Sequence, residues 1–264
     1  MSEVSVRLSV VTPLYNEEAN VADLVGELRG ALDPTGWRYE IICVDDGSED
    51  GTVSAVVDAR GDDGRVRLLR LDAHRGQSAA MHAGIMAARG EVIVTIDGDL
   101  QNDPADIPML VAQLAEADLV CGWRVRRRDR WSKRVGSRIG NGFRRLMLRD
   151  RVHDTGCTLK AFRREVRRAL IPFKAMHRFI PALVGRAGCR VIEVPVNHRP
   201  RRHGRSKYGL ARRAWEGLGD VRGMRWWLRR RVFYEVECFP PTRASRDGPP
   251  PPDEASASSG AEDG

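Results

Sequence analysis

Asp97, Asp99 and Gln101 close an apolar, largely β-branched run, Val92-Ile93-Val94-Thr95-Ile96, and offer three oxygen donors at spacing i, i+2, i+4. In an extended or loosely turned segment that spacing can bring all three to one side of the chain. Hard oxygen ligands at the end of a buried strand suit Mg2+ or Mn2+ holding a phosphorylated substrate. The same residues also read as a solvated acidic turn in which Asp99 or Asp103 caps the next helix. Spacing alone does not separate the two readings.

Other polar clusters stand at comparable places. Thr12-Pro13-Leu14-Tyr15-Asn16-Glu17-Glu18 follows an apolar run at 6–11, and Asp45-Asp46-Gly47-Ser48 follows another at 39–44. His74-Arg75-Gly76-Gln77-Ser78 follows a third at 66–71. These runs read as strands, and Pro13, which cannot donate to a sheet ladder, is expected to end the first. Between them lie helical spacings. Val21, Leu24, Val25, Leu28 and Leu32 recur from an expected N-cap at Asn20, a short helix runs to about Arg60, and a small-residue helix opens at His74. A further helix starts at Pro104, a fifth strand covers 117–122, and 153–163 reads as loop then strand. A helix over 176–187 and a late strand at 191–196 follow, the strand near an edge because of Pro195.

Strands alternating with helices of this length make βαβ units and a mainly parallel sheet, an α/β fold flanked by helices. Ligands of such sheets bind beyond the carboxyl ends of the strands. The polar loops at 12–18, 45–52, 74–78 and 97–103 are therefore expected on one edge. A GxGxxG fingerprint and a P-loop are absent after every strand, which argues against the dinucleotide and ATPase readings.

The net charge of +8 comes mostly from arginine and suits an anionic partner such as nucleic acid, an anionic membrane or a phosphorylated substrate. Residues 123–149 carry Arg124, Arg130, Arg134 and Arg138 among Trp131, Val135, Ile139 and Phe143, the spacing of an amphipathic helix with a basic face. After Gly209, Trp215, Leu218, Trp226, Trp227 and Leu228 sit among arginines and suit an interfacial helix, with Trp226-Trp227 equally readable as core. The chain divides accordingly into 1–209, a basic amphipathic segment 210–238, and a Pro/Ser/Gly-rich tail 239–264 expected to be disordered. Five singly scattered cysteines predict free thiols in a reducing compartment. His177 and His198 have no second histidine or cysteine at ligand spacing and read as structural. No leader segment and no membrane-spanning run is legible.

Taken in order, Pro13-Leu14-Tyr15-Asn16-Glu17, Asp45-Asp46-Gly47-Ser48, His74-Arg75-Gly76-Gln77-Ser78, Asp97-Gly98-Asp99-Leu100-Gln101 and Gly204-Arg205-Ser206-Lys207-Tyr208 resemble family 2 glycosyltransferases of the GT-A fold. Asp-x-Asp-Leu-Gln, His177-Arg178-Phe179 and the stretch from Arg201 to Tyr208 are similar to the polyprenyl-phosphate sugar transferases within them. The resemblance covers about residues 5–209 and implies an inverting transfer from a nucleotide sugar, GDP-mannose or a UDP-sugar, to a polyprenyl phosphate. It implies Mg2+ or Mn2+ on Asp97, Asp99 and Gln101, with Pro13, Tyr15, Glu17, Asp46, Gln77 and Asp97 at the donor. Arg124, Arg201, Ser206 and Lys207 would meet phosphates, with Arg134 standing for the run Arg130, Arg134, Arg138. Asp99, Arg124, Arg201 and Lys207 would carry the catalysis. Bacterial relatives often continue into transmembrane helices after the Ser-Lys-Tyr segment. Their absence here implies a cytoplasmic enzyme, peripheral at the inner face of the membrane or dependent on a membrane partner protein.

That chemistry is coherent without a general base. A sugar hydroxyl needs one, whereas a phosphate monoester arrives already carrying about −1.5 to −2 charge and needs relief from repulsion by the donor diphosphate. Transfer to a saccharide or small-molecule hydroxyl is the alternative, with Asp154 as its candidate base. A basic nucleic-acid-binding protein is the alternative outside enzymes, but no nucleic-acid module is legible and no nucleic-acid partner is expected.

Overall fold

A computed structural model of the chain describes residues 7–125, 142–148, 150, 152–200 and 210–230. The contacts expected of Arg130, Arg134, Arg138, Arg201, Ser206 and Lys207, the helix expected through Trp131, Val135 and Ile139, and the tail from Phe239 lie outside those residues.

Strands β1 (Leu8–Leu14), β2 (Tyr39–Asp45), β3 (Val66–Arg70), β4 (Val92–Thr95), β5 (Leu119–Trp123), β6 (Lys160–Arg163) and β7 (Val191–Pro195) form one sheet in the order β3-β2-β1-β4-β6-β5-β7. All pairings are parallel except those of β6, which runs antiparallel to β4 and β5. The sheet is thus mainly parallel, as expected, with β6 as its antiparallel member. β7 is an edge strand, as Pro195 requires.

Helices α1 (Glu18–Leu32), α2 (Thr52–Arg60) and α4 (Ile107–Ala112) cover one face. Helices α3 (Gln77–Ala87), α6 (Met176–Arg186) and α7 (Leu210–Leu228) cover the other, beside a short helix α5 at 142–148. Leu24, Leu28, Val56 and Leu110 meet the first face; Met81, Ile85, Phe179 and Leu183 meet the second. Burying a side chain of this size contributes about 1.5–3 kcal/mol each, so two such layers hold the strand ends in fixed register.

Three expected boundaries move, each for a local reason. β1 runs on through Pro13. Leu14 O accepts the Asp46 N–H at 2.8 Å on the β2 side, so residue 13 faces β4, whose pairing with β1 stops at Val11. The N–H that proline lacks is not asked for there. Helix α1 opens at Glu18, before the expected cap. Asn20 is buried in its first turn with both its backbone N–H and its side-chain amide donating to Glu17. Helix α3 begins at Gln77, not His74, because the N–H groups of Arg75 and Gly76 donate to the Asp46 carboxylate and hold that stretch out of the helix.

α3 lies so close to the sheet that a Cβ on Gly84 would strike Val11 Cγ1 and come within 2.9 Å of Val44 Cγ2. Overpacking of this kind costs about 1–3 kcal/mol. Gly84→Ala is therefore expected to lower the unfolding free energy by that much, read as a lowered denaturant midpoint, and an unchanged midpoint would show that α3 can lift without cost.

α7 packs into the second face through Val221, Met224 and Leu228, within a compact unit spanning Met1–Arg231. The tryptophan pair divides between its two readings. Trp227 packs on the core, while Trp226 is 58 % exposed with the Arg230 guanidinium 4.5 Å over its ring. No helix among the described residues is long and apolar enough to cross a membrane. Cys43, Cys121 and Cys157 are buried free thiols, and burial pushes the first two up to about 12. Cys238 lies outside the described residues.

Candidate active site

The loops after β1, β2, β3 and β4 do meet on the carboxyl edge, and side chains lace them together. Ser48 Oγ accepts the Asn16 N–H at 2.9 Å, and Thr52 Oγ1 accepts the Glu17 N–H at 2.9 Å. Gly47 turns the second loop at φ +71°, with backbone atoms of Ala73 and His74 at 2.6 Å from where a Cβ would stand. Only glycine fits both demands. Asp46 is buried, and its carboxylate accepts N–H bonds from Arg75 at 2.7 Å and Gly76 at 2.9 Å while His74 Nδ1 lies 2.9 Å away. Its oxygens are thus committed to shaping the 74–76 loop. His74 in turn stacks on Tyr15, ring centroids 3.9 Å apart, which makes a flat aromatic platform at the edge. Pro13 is enclosed in β1, and Glu17 is half-buried against Asn20.

The acidic turn lies beside this platform. Gln77 Nε2, at the start of α3, donates to Asp97 Oδ1 at 2.6 Å. Asp99 is 7 % exposed and its Oδ1 accepts the Gln101 N–H at 3.1 Å. Between them Leu100 is held at φ +60°, a left-handed conformation that bulky side chains rarely adopt. Burial first, and then the charge on Asp99, push the Asp97 carboxyl up to about 6; the Thr158 hydroxyl and the charges of Arg124 and Lys160 act the other way. Two crowded carboxylates of this kind fit a divalent cation whose remaining ligands come from elsewhere. Among the described residues no three His, Cys, Asp or Glu side chains converge as a ligand set, so a cation here would need Gln101 and substrate oxygens. The capped-turn reading also holds one residue group on: Asp103 accepts the Ala105 N–H at 3.0 Å.

Arg124, just past β5, is paired. Its Nε and Nη2 reach Asp154 Oδ2 and Oδ1 at 2.7 and 3.0 Å, with both side chains largely buried. Asp154 and His153 take their backbone positions from Glu193 on β7, and the His153 ring stacks on Trp123. The chain leaving β7 then bridges His198 to Asn102, and Arg199 N–H donates to Gln101 O at 2.9 Å. The segment that leads to Arg201, Ser206 and Lys207 therefore starts against the acidic turn. Arg199 itself is committed to Glu27 and Asp103 at 2.6 and 2.7 Å.

Two neighbours of the site escaped the sequence reading, and a third, His177, is hydrogen-bonded as expected. Thr158 bonds Asn102 Nδ2 at 3.0 Å and supports Asp97, and Lys160 lies enclosed in β6. His177, at the start of α6, stands 2.8 Å from Ser78 Oγ; burial, with the charges of Arg178 and Lys160 behind it, pushes its imidazole down to about 3, so the ring is neutral. The available signal was a lone lysine at an alternating position of an apolar strand, Leu159-Lys160-Ala161-Phe162.

The chain is 42 % identical over 217 residues to a dodecaprenyl-phosphate galacturonate synthase of Rhizobium johnstonii, covering 79 % of this chain and 63 % of the relative. It is 38 % identical over 213 residues to an undecaprenyl-phosphate 4-deoxy-4-formamido-L-arabinose transferase of Aeromonas hydrophila, covering 80 % and 65 %. The chain thus spans less than two thirds of the length of either relative. Among solved structures, glucosyl-3-phosphoglycerate synthase of Mycobacterium tuberculosis, in complex with Mn2+, UDP-glucose and phosphoglyceric acid, superposes with TM-score 0.62 at 20 % identity over 82 % of this chain and 80 % of that one. This likeness establishes the GT-A architecture. The sequence model of glycosyl transferase family 2 matches residues 9–171, which include the four loops, the acidic turn and the Arg124–Asp154 pair, and the chain belongs to that family.

Proposed function

We propose that the chain transfers a sugar from a nucleotide sugar to a polyprenyl phosphate and depends on Mg2+ or Mn2+. The observation that carries this reading is the meeting of Tyr15, Gln77, Asp97 and Asp99 on one sheet edge, in a chain 42 % and 38 % identical to polyprenyl-phosphate sugar transferases. Structural neighbours that hold UDP with Mn2+ support the same donor half.

In this reading the nucleoside rests against Tyr15 and the loops at 12–18 and 45–52, with Pro13 and Glu17 fixing their course and Asp46 holding the third loop in place. Asp97, Asp99 and Gln101 hold the cation, whose chemistry when bound is Lewis-acid relief of the charge that grows on the departing diphosphate. Gln77 orients Asp97. Arg124 and, from outside the described residues, Arg134, Arg201, Ser206 and Lys207 face the acceptor phosphate. Arginine suits that task because its planar fork contacts phosphate oxygens in pairs. The nucleophile arrives ionised, so no carboxylate base is required. This favours a phosphate over a hydroxyl acceptor, because Asp154, the candidate base for the latter, is held by two Arg124 bonds. Residues 1–209 carry the catalysis, and 210–238 meet an anionic membrane surface or a membrane partner. The exposed Trp226 with Arg222 and Arg225 on α7, and Arg229 and Arg230 just past its end, supports this.

The test is a donor panel of labelled UDP-sugars and GDP-mannose with undecaprenyl or dolichyl phosphate in detergent. Label is expected in organic-extractable product, lost with EDTA and restored by Mn2+ or Mg2+. Label found only in water-soluble glycosides would move the acceptor to a hydroxyl compound.

A further inference from the structure

Lys160 is 1 % exposed, one of the largest side chains wholly enclosed in the protein. Among the described residues its ammonium has one hydrogen-bond partner, the Cys157 carbonyl, and no carboxylate at ion-pair distance. An ammonium taken out of water costs several kcal/mol even after relaxation, and a single carbonyl offsets only part of that.

Its position gives the charge a use. β6 lies between β4 and β5, with Lys160 opposite Thr95 and Cys121. Side chains alternate along β4, so Ile93 and Thr95 share a face, and Phe162 opposite Ile93 puts Lys160 on it too; Asp97, two residues past Thr95, meets Gln77 of α3 on that side. That face is covered by α3 and α6, whose first turns supply Gln77 to Asp97 and Ser78 to His177. The charge on Lys160 acts on both Asp97 and His177. Arg124, the other cation acting on Asp97, is already matched by Asp154. Lys160 is left as the positive charge beneath the acidic turn that no carboxylate matches, under a strand end holding two carboxylates and expected to receive a diphosphate.

We propose that Lys160 is a positioning residue of the transfer reaction: from beneath the floor of the cleft it supplies the fixed positive charge that allows Asp97, Asp99 and an incoming diphosphate to be held together, acting through Asp97 without touching substrate. The role rests on the donor-site reading above.

Lys160→Met removes the charge and the hydrogen bond at similar length; Lys160→Gln removes the charge and keeps a donor for the Cys157 carbonyl. Both are made in the full chain. Thermal midpoint and calorimetric affinity for UDP and for GDP, each with Mn2+, are measured beside the unsubstituted protein. Lys160→Met is expected to melt at or above the original midpoint, since an unmatched buried charge is gone. Both variants are expected to bind the diphosphate and Mn2+ about tenfold or more weakly, the scale of one charge acting within a protein. A lowered midpoint with unchanged affinity would make Lys160 a structural lysine and overturn the role. Full affinity in Lys160→Gln with loss in Lys160→Met would assign the effect to the hydrogen bond and overturn it as well. An unsubstituted chain that binds neither diphosphate with Mn2+ overturns the donor site itself, and this role with it.

Discussion

Replacing Asp99 by Asn is expected to lower sugar transfer by about three orders of magnitude at saturating Mn2+ while leaving the melting midpoint close to its original value. The substitution is chosen for what it keeps. Asp99 Oδ1 accepts the Gln101 N–H at 3.1 Å, and an asparagine carbonyl accepts the same bond. The turn with Leu100 at φ +60° is thereby retained, and the side chain stays the same size in a place where only 7 % of it is exposed. What is lost is one of two neighbouring negative charges. A cation held by that pair stabilises a leaving diphosphate by several kcal/mol, and each 1.36 kcal/mol is about tenfold in rate. Removing the Asp99 carboxylate also removes the like charge that helps push Asp97 up to about 6, so the variant's Asp97 ionises more readily and the site is still less negative by one unit. The readout is the initial rate of labelled sugar entering lipid product. A rate within a few-fold of the original, with either Mg2+ or Mn2+ supplied, would remove Asp99 from the metal site and return the acidic turn to its capping role.

The site is partly legible in the amino-acid sequence for physical reasons. A buried strand must be apolar until it ends, so the abrupt change to polar residues after Val11, Val44, Leu71 and Ile96 located the loops of one sheet edge. Direction is different: a strand pattern of four residues reads the same forwards and backwards, and nothing in Lys160–Arg163 announced that β6 runs against its neighbours. Proline was over-read at position 13, because its missing N–H matters only where a partner strand is present to accept it. Asn20 was over-read too, since a side chain that can cap a helix can equally bond to Glu17 from inside the first turn. Contacts between distant residues were the least legible. The bonds that Asp46 accepts from Arg75 and Gly76, 29 and 30 positions along the chain, were not legible beside its expected place at the donor. The stack of Tyr15 on His74 was equally hidden, because composition carries no information about which rings meet.

Asp154→Ala is expected to lower unfolding free energy by about 3–5 kcal/mol, the cost of leaving a buried charge without its partner. Arg124 meets Asp154 through two bonds of 2.7 and 3.0 Å, and the two side chains are only 12 % and 6 % exposed, so water cannot replace the lost carboxylate. The penalty should belong to the stranded guanidinium and not to the missing aspartate. The double substitution Arg124→Met with Asp154→Ala is therefore expected to be more stable than Asp154→Ala alone, a coupling that a double-mutant cycle in denaturant reads directly. The same pair decides how acid–base chemistry could run here. A carboxylate serving as general base contributes about 10²–10⁴ in rate, and Asp154→Asn would then lose that much with a hydroxyl acceptor while its fold stayed intact. With Asp154 committed to Arg124, the expected order is the reverse: stability falls first, and transfer to polyprenyl phosphate falls only as far as Arg124 loses its place. Equal stability of Asp154→Ala and the unsubstituted protein would show that the pair holds nothing, and would free Asp154 for the chemistry of a hydroxyl acceptor.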